Sequence, residues 1–138
     1  MTLPLSELKR GTELPEVKKR ITQEKIGLYA QASRDLNPIH IDPNFASKTP
    51  LGGTIAHGML VLAYVSQMMT EAFGKSWLAS GELDVRFKTP ARPGDVLTIS
   101  GKIYDTEENK GQLLVSCDVL CQNQKGEPVT IGTARVRV

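Results

Sequence analysis

The chain has 138 residues, 40% hydrophobic and 23% charged, which suits one globular domain over 1–138 and excludes a disordered or fibrous chain. A net charge of +2 supplies no field for nucleic acid or a membrane surface, so neither is expected as a partner.

The opening MTLPLSELKR carries charge early and lacks the apolar run of a leader. The apolar stretch near 59–65 is too short to span a bilayer. A turn-rich lead and a strand at about 12–21 are expected first. Thr22 then reads as the N-cap of a helix running to about Arg34, with Ile26, Tyr29 and Ala30 as its apolar stripe. Pro38 is expected to enforce the end of that helix. HIDPNFASKTPLGGT reads as a loop with one helical turn, punctuated by Pro43, Pro50, Gly52 and Gly53. From Met59 to Met69 nearly every residue is apolar or small, which predicts a helix buried on all sides.

Four strands are expected in the second half. GELDVRFKTP alternates Leu83, Val85 and Phe87 with Asp84, Arg86 and Lys88, a period-2 strand. VLTISGKIY, LLVSCDVLCQ and VTIGTARVRV follow, separated by the polar turns DTEENKGQ and NQKGEP. The spacing predicts an antiparallel meander, hence an α+β domain in which a curved antiparallel sheet wraps a long central helix. Cys117 and Cys121 lie four apart in one strand, poorly placed to bridge each other and too few for a thiolate metal site. They read as reduced thiols of a cytoplasmic protein.

Three groups of residues carry candidate chemistry. Asp35 and His40 flank Asn37 and Pro38 at a helix end; facing one cavity, a carboxylate and an imidazole can hold and deprotonate a water. The plainer alternative is that Asp35 ends the helix and His40 packs. Gly58, in AHGM before the central helix, offers a backbone N–H to a carbonyl oxygen, or simply allows close packing. His57 reads as a packing histidine. A metal set of His40, Asp42 and His57 has permissive spacing only. Ser66 is polar in an apolar helix and needs a partner, but no G-x-S-x-G elbow makes it a nucleophile. No P-loop or dinucleotide fingerprint is present.

SRDLNPIHIDPNFA, followed by GGTIAHGMLVLAYVS and then DVRFKTPARPGD, resembles the MaoC-like family of (R)-specific enoyl-CoA hydratases over about residues 20–138. The resemblance implies a hot-dog fold, a helix "sausage" in a sheet "bun". It implies hydration of trans-2-enoyl thioesters of CoA or acyl-carrier protein, with Asp35 and His40 as the catalytic pair. Asn37 would orient the pair or the water, Gly58 N–H would receive the thioester oxygen, and Ser66 would brace the active-site loop. It also implies a homodimer joined through its sheets, and no metal or redox cofactor. A hot-dog thioesterase and a non-catalytic acyl-thioester-binding subunit are the competing readings.

Overall fold

The structure, a computed structural model, describes residues 2–138. A 3-10 turn at Leu5–Glu7 precedes β1 (Val17–Arg20) and α1 (Gln23–Ser33). Two short helices follow, α2 (Pro38–Ile41) and α3 (Pro43–Ser47), then the central α4 (Gly58–Phe73) and α5 (Lys75–Ser80). The chain ends in β2 (Glu82–Phe87), β3 (Val96–Asn109), β4 (Gln112–Gln122) and β5 (Pro128–Arg137).

The five strands form one antiparallel sheet in the order β1-β3-β4-β5-β2. Only β3, β4 and β5 make the expected meander. β2 does not pair with β3, its neighbour in sequence; it crosses to the far edge, with Leu83 opposite Ala134 and Phe87 opposite Thr130. The segment 88–95 between β2 and β3 contains two prolines and is too long for a tight hairpin. The edge of β3 that β2 would need is taken by β1.

DTEEN, expected as part of a turn, continues β3, and the turn shrinks to Lys110 and Gly111, with φ of 51° and 80°. Two successive positive φ values define a two-residue hairpin whose twist matches the strands it joins. The polar residues lie on a mostly exposed strand end, so their polarity marked solvent, not a break in pairing. The expected first strand is likewise reduced to β1, plus a bridge from Glu13 to Lys102.

α4 packs across β1, β3, β4 and β5. Val65, Met68 and Met69 are fully buried together with Ile99, Ile103 and Val115, each such side chain contributing about 1.5–3 kcal/mol. Close approach is possible because Gly101 has no side chain: a Cβ there would lie 3.1 Å from Met68 Cε and 2.8 Å from Leu14 Cδ1. Cys117 and Cys121 are free and buried on the inner face of β4 with Val115 and Val119. α4 is not enclosed on all sides, however. Met59 is 58% exposed, Ala63 is exposed, and Leu62 is half-buried, leaving an apolar flank uncovered by this chain. Among the described residues, no helix is long and apolar enough to cross a membrane.

Candidate active site

The segment between α1 and α4 is built from successive local caps. Thr22 begins α1 by accepting from Lys25 N–H at 3.1 Å. Arg34 ends it in a left-handed conformation, φ 61° and ψ 22°. Pro38 is therefore not what stops α1, which has closed at Ser33. It opens α2, because its fixed φ and missing N–H suit a first helical position. Asn37 caps α2 by accepting from Ile39 N–H at 3.0 Å. Asp42 caps α3, accepting from Asn44 and Phe45 N–H, each at 3.1 Å. The expected loop at 40–54 holds one short helix, α3, and α2 begins just before it; each is opened by an Asx-Pro step.

These caps set Asp35 on the exposed turn between α1 and α2 and His40 on the last turn of α2. His40 Nδ1 lies 2.8 Å from the Ile55 carbonyl. A carbonyl only accepts, so Nδ1 carries a proton, and in the neutral ring Nε2 is the nitrogen with the lone pair. Nε2 stands 3.9 Å from Asp35 Oδ2, with side-chain exposures of 12% for His40 and 54% for Asp35. Gln23, at the start of α1, holds the same helix by donating to the His40 carbonyl at 2.8 Å, and itself accepts from Thr54 Oγ1 at 2.6 Å. Neither Gln23 nor the Ile55 carbonyl carried any sequence signal, since both act through long-range contacts.

His57 joins this group. It is 2% exposed, its ring stacks on that of His40 with centroids 3.8 Å apart and planes 25° apart, and its Nε2–H donates to the Asp35 carbonyl at 3.0 Å. One ligand atom each from Asp35, His40 and His57 lies within 4.8 Å of the others. The permissive set of His40, Asp42 and His57, set aside in the sequence, is not brought together: Asp42 spends its carboxylate on α3. The Asp35–His40–His57 set also fits an ion poorly. A metal lies in the plane of each imidazole at about 2.0–2.1 Å, and stacked, near-parallel rings do not send their lone pairs to one such point.

Gly58 is the first residue of α4, and no side chain caps that helix start, so its N–H is one of the free donors of the first turn. It lines a cavity of about 270 Å³ together with Ile55, Val61, Phe87 and Thr130. The Phe87 ring covers it closely enough that a Cβ on Gly58 would sit 3.1 Å from Cε1 and Cζ. Ser66 is not brought to the active-site loop by a hydrogen bond. Its hydroxyl accepts from Trp77 Nε1–H at 2.9 Å, tying α4 to α5. Eight residues separate it from Gly58, about 12 Å along the axis, and the buried indole takes its hydroxyl there.

A central helix packed on one antiparallel sheet, with Asp35 beside His40 and a free N–H at Gly58, is the arrangement of a hot-dog domain. The model of the MaoC like domain matches residues 8–121, and the chain belongs to the MaoC-like dehydratase family. It is 37% identical over 114 residues to fatty acid synthase 2 of Mycosarcoma maydis, covering 78% of this chain but only 3% of that one. It is 32% identical over 93 residues to the (R)-specific enoyl-CoA hydratase of Aeromonas caviae, covering 67% of this chain and 69% of the relative. The structure of the R-hydratase PhaJ1 from Pseudomonas aeruginosa, unliganded, superposes with a TM-score of 0.83 at 26% identity, over 98% of this chain and 84% of that one.

Proposed function

We propose that the chain catalyses the reversible hydration of trans-2-enoyl thioesters of CoA or acyl-carrier protein to (3R)-3-hydroxyacyl thioesters, with Asp35 and His40 acting on one water. The observation that carries this reading is the 3.9 Å gap between Asp35 Oδ2 and His40 Nε2. It is too long for a direct hydrogen bond and suited to a water that bonds both. With Nδ1–H committed to the Ile55 carbonyl, His40 turns its basic nitrogen toward that water.

In the hydration direction the water oxygen bonds to C3, the π pair shifts toward C2 and the thioester oxygen, and the pair takes the water's proton. A proton is then delivered to C2, restoring the thioester. Gly58 N–H, at the positive end of α4, receives the developing oxyanion, a donor of a kind worth about 3 kcal/mol of barrier. Asn37 fixes the spacing of the pair through its cap on α2. The chemistry is a proton transfer and an addition, so no metal or redox cofactor is needed; chelation with EDTA should leave turnover unchanged.

Two copies are proposed to assemble as a homodimer, in a single-domain, cytoplasmic protein. β2 lies at the edge of the sheet, a row of unpaired backbone groups that proteins cover or join. Phe87 on that strand and Met59 on α4 are each more than half exposed. Incubation with crotonyl-CoA tests the reading. Loss of enoyl absorbance without release of free thiol, and a (3R) product, support it; thiol release or a (3S) product overturns it.

A further inference from the structure

We infer that His57 is the positioning residue of the Asp35–His40 pair, holding the Asp35 backbone with one edge of its ring and the His40 imidazole with its face. The inference rests on the reading that Asp35 and His40 act together on one water. His57 occupies the N-cap position of α4, yet its side chain makes no capping bond. It turns instead to the segment carrying the pair. Its Nε2–H reaches the Asp35 carbonyl at 3.0 Å, and its ring lies against His40 at 3.8 Å. Tyr29 of α1 packs against the same ring at 4.9 Å, tilted by 58°.

The choice of imidazole at this place is informative. A ring needed only for packing would be phenyl. Histidine here leaves Nδ1 buried with no hydrogen-bond partner, an unfavourable arrangement that is offset only if the other nitrogen does something a phenyl cannot. That nitrogen donates to Asp35. The carbonyl it holds follows Arg34, a non-glycine residue at φ 61°, a conformation that persists only where neighbours over-determine it. The Asp35 side chain is 54% exposed, and its carboxylate accepts only one long bond, from Asn37 N–H at 3.4 Å. Most of the restraint comes from the backbone: Ser33 Oγ accepts from Asp35 N–H at 3.2 Å and the Asp35 carbonyl accepts from His57 at 3.0 Å. Without the second bond the peptide after Asp35 is free to turn, carrying the carboxylate away from His40 Nε2.

Three substitutions in the full chain separate positioning from packing. His57→Gln places an amide N–H where Nε2 stood. His57→Asn is one methylene shorter and loses the reach to Asp35. His57→Phe keeps a stacked ring without a donor. Each is assayed with crotonyl-CoA for kcat and KM and melted thermally, with Asp35→Asn as reference. The expected result is a fall in kcat of about tenfold or more for Asn and Phe, with KM within about twofold, and a loss of no more than about threefold for Gln. KM is spared because the ring is buried and does not meet substrate. Phe at wild-type kcat, or Gln as poor as Asn, with Asp35→Asn inactive, overturns the positioning role. If Phe does not fold, the Gln–Asn pair decides the matter alone. Full turnover by Asp35→Asn itself overturns the one-water reading, and the inference with it.

Discussion

The proposed joint action of Asp35 and His40 on one water is open to test one group at a time. Asp35→Asn keeps the size and removes the charge; His40→Ala removes the basic nitrogen. Each should lower kcat by about 100-fold or more, and the double mutant should lose little beyond the worse single, because groups acting as a unit are not additive. Steady-state kinetics on the three variants checks this. Gly58→Ala is a different kind of change. The added carbon meets the tip of the Phe87 ring at 3.1 Å, and that side chain is 54% exposed, so it can swing aside and the protein should fold. The cavity beside the helix start narrows, and kcat/KM on crotonyl-CoA should fall by about tenfold. The two thiols give a pH-dependent outcome. Burial pushes Cys117 and Cys121 up to about 12 from the usual 9.0, with Asp118 adding to the shift at Cys117. Above pH 9 the unfolded chain loses these protons while the folded one keeps them, so stability should decline as pH rises from about 9 toward 12. At pH 8 a thiol reagent should label neither cysteine until denaturant is added.

Among the elements, α4 and α5 are tied by Ser66 and Trp77, and the cost of Ser66→Ala should appear in stability rather than in turnover. The lost acceptor leaves a buried indole N–H unpaired, about 1–3 kcal/mol. Trp77→Phe in the same background should restore part of it, which a double-mutant cycle of urea melts would show. α1, the long helix and the strand alternations were readable because each has a strong local pattern, although the stop of α1 was not. Thr22 and the Leu83–Val85 alternation belong to that class. What escaped was set by partners distant in sequence. β2 crosses to β5 because β1 occupies β3, and no local pattern announces that. DTEEN looks like a turn until Gln112–Leu114 is placed opposite it. The D-x-N-P-x-H motif was visible as a resemblance, whereas the Ile55 carbonyl, Gln23 and the bond from His57 to Asp35 were not, since each is a contact between segments. Ser66 shows the opposite error: a residue with a clear need for a partner, assigned to the wrong one.

For the molecule as a whole, the open flank of α4 and the edge position of β2 support the proposed homodimer. Light scattering should give twice the 15.1 kDa chain mass, and a fully active monomer would refute the assembly. Asp35, His40 and His57 are held by caps and hydrogen bonds within residues 22–58, while Phe87, Thr89 and Val129, which line the cavity beside Gly58, come from β2, the segment after it, and β5. The proposed machinery for proton transfer and the proposed surface for the acyl group thus occupy separate stretches of chain. A lineage, or a laboratory selection, can reshape the second without disturbing the first. Substitutions at 87, 89 and 129 are where changed chain-length preference should accumulate at little cost to the rate of the chemical step.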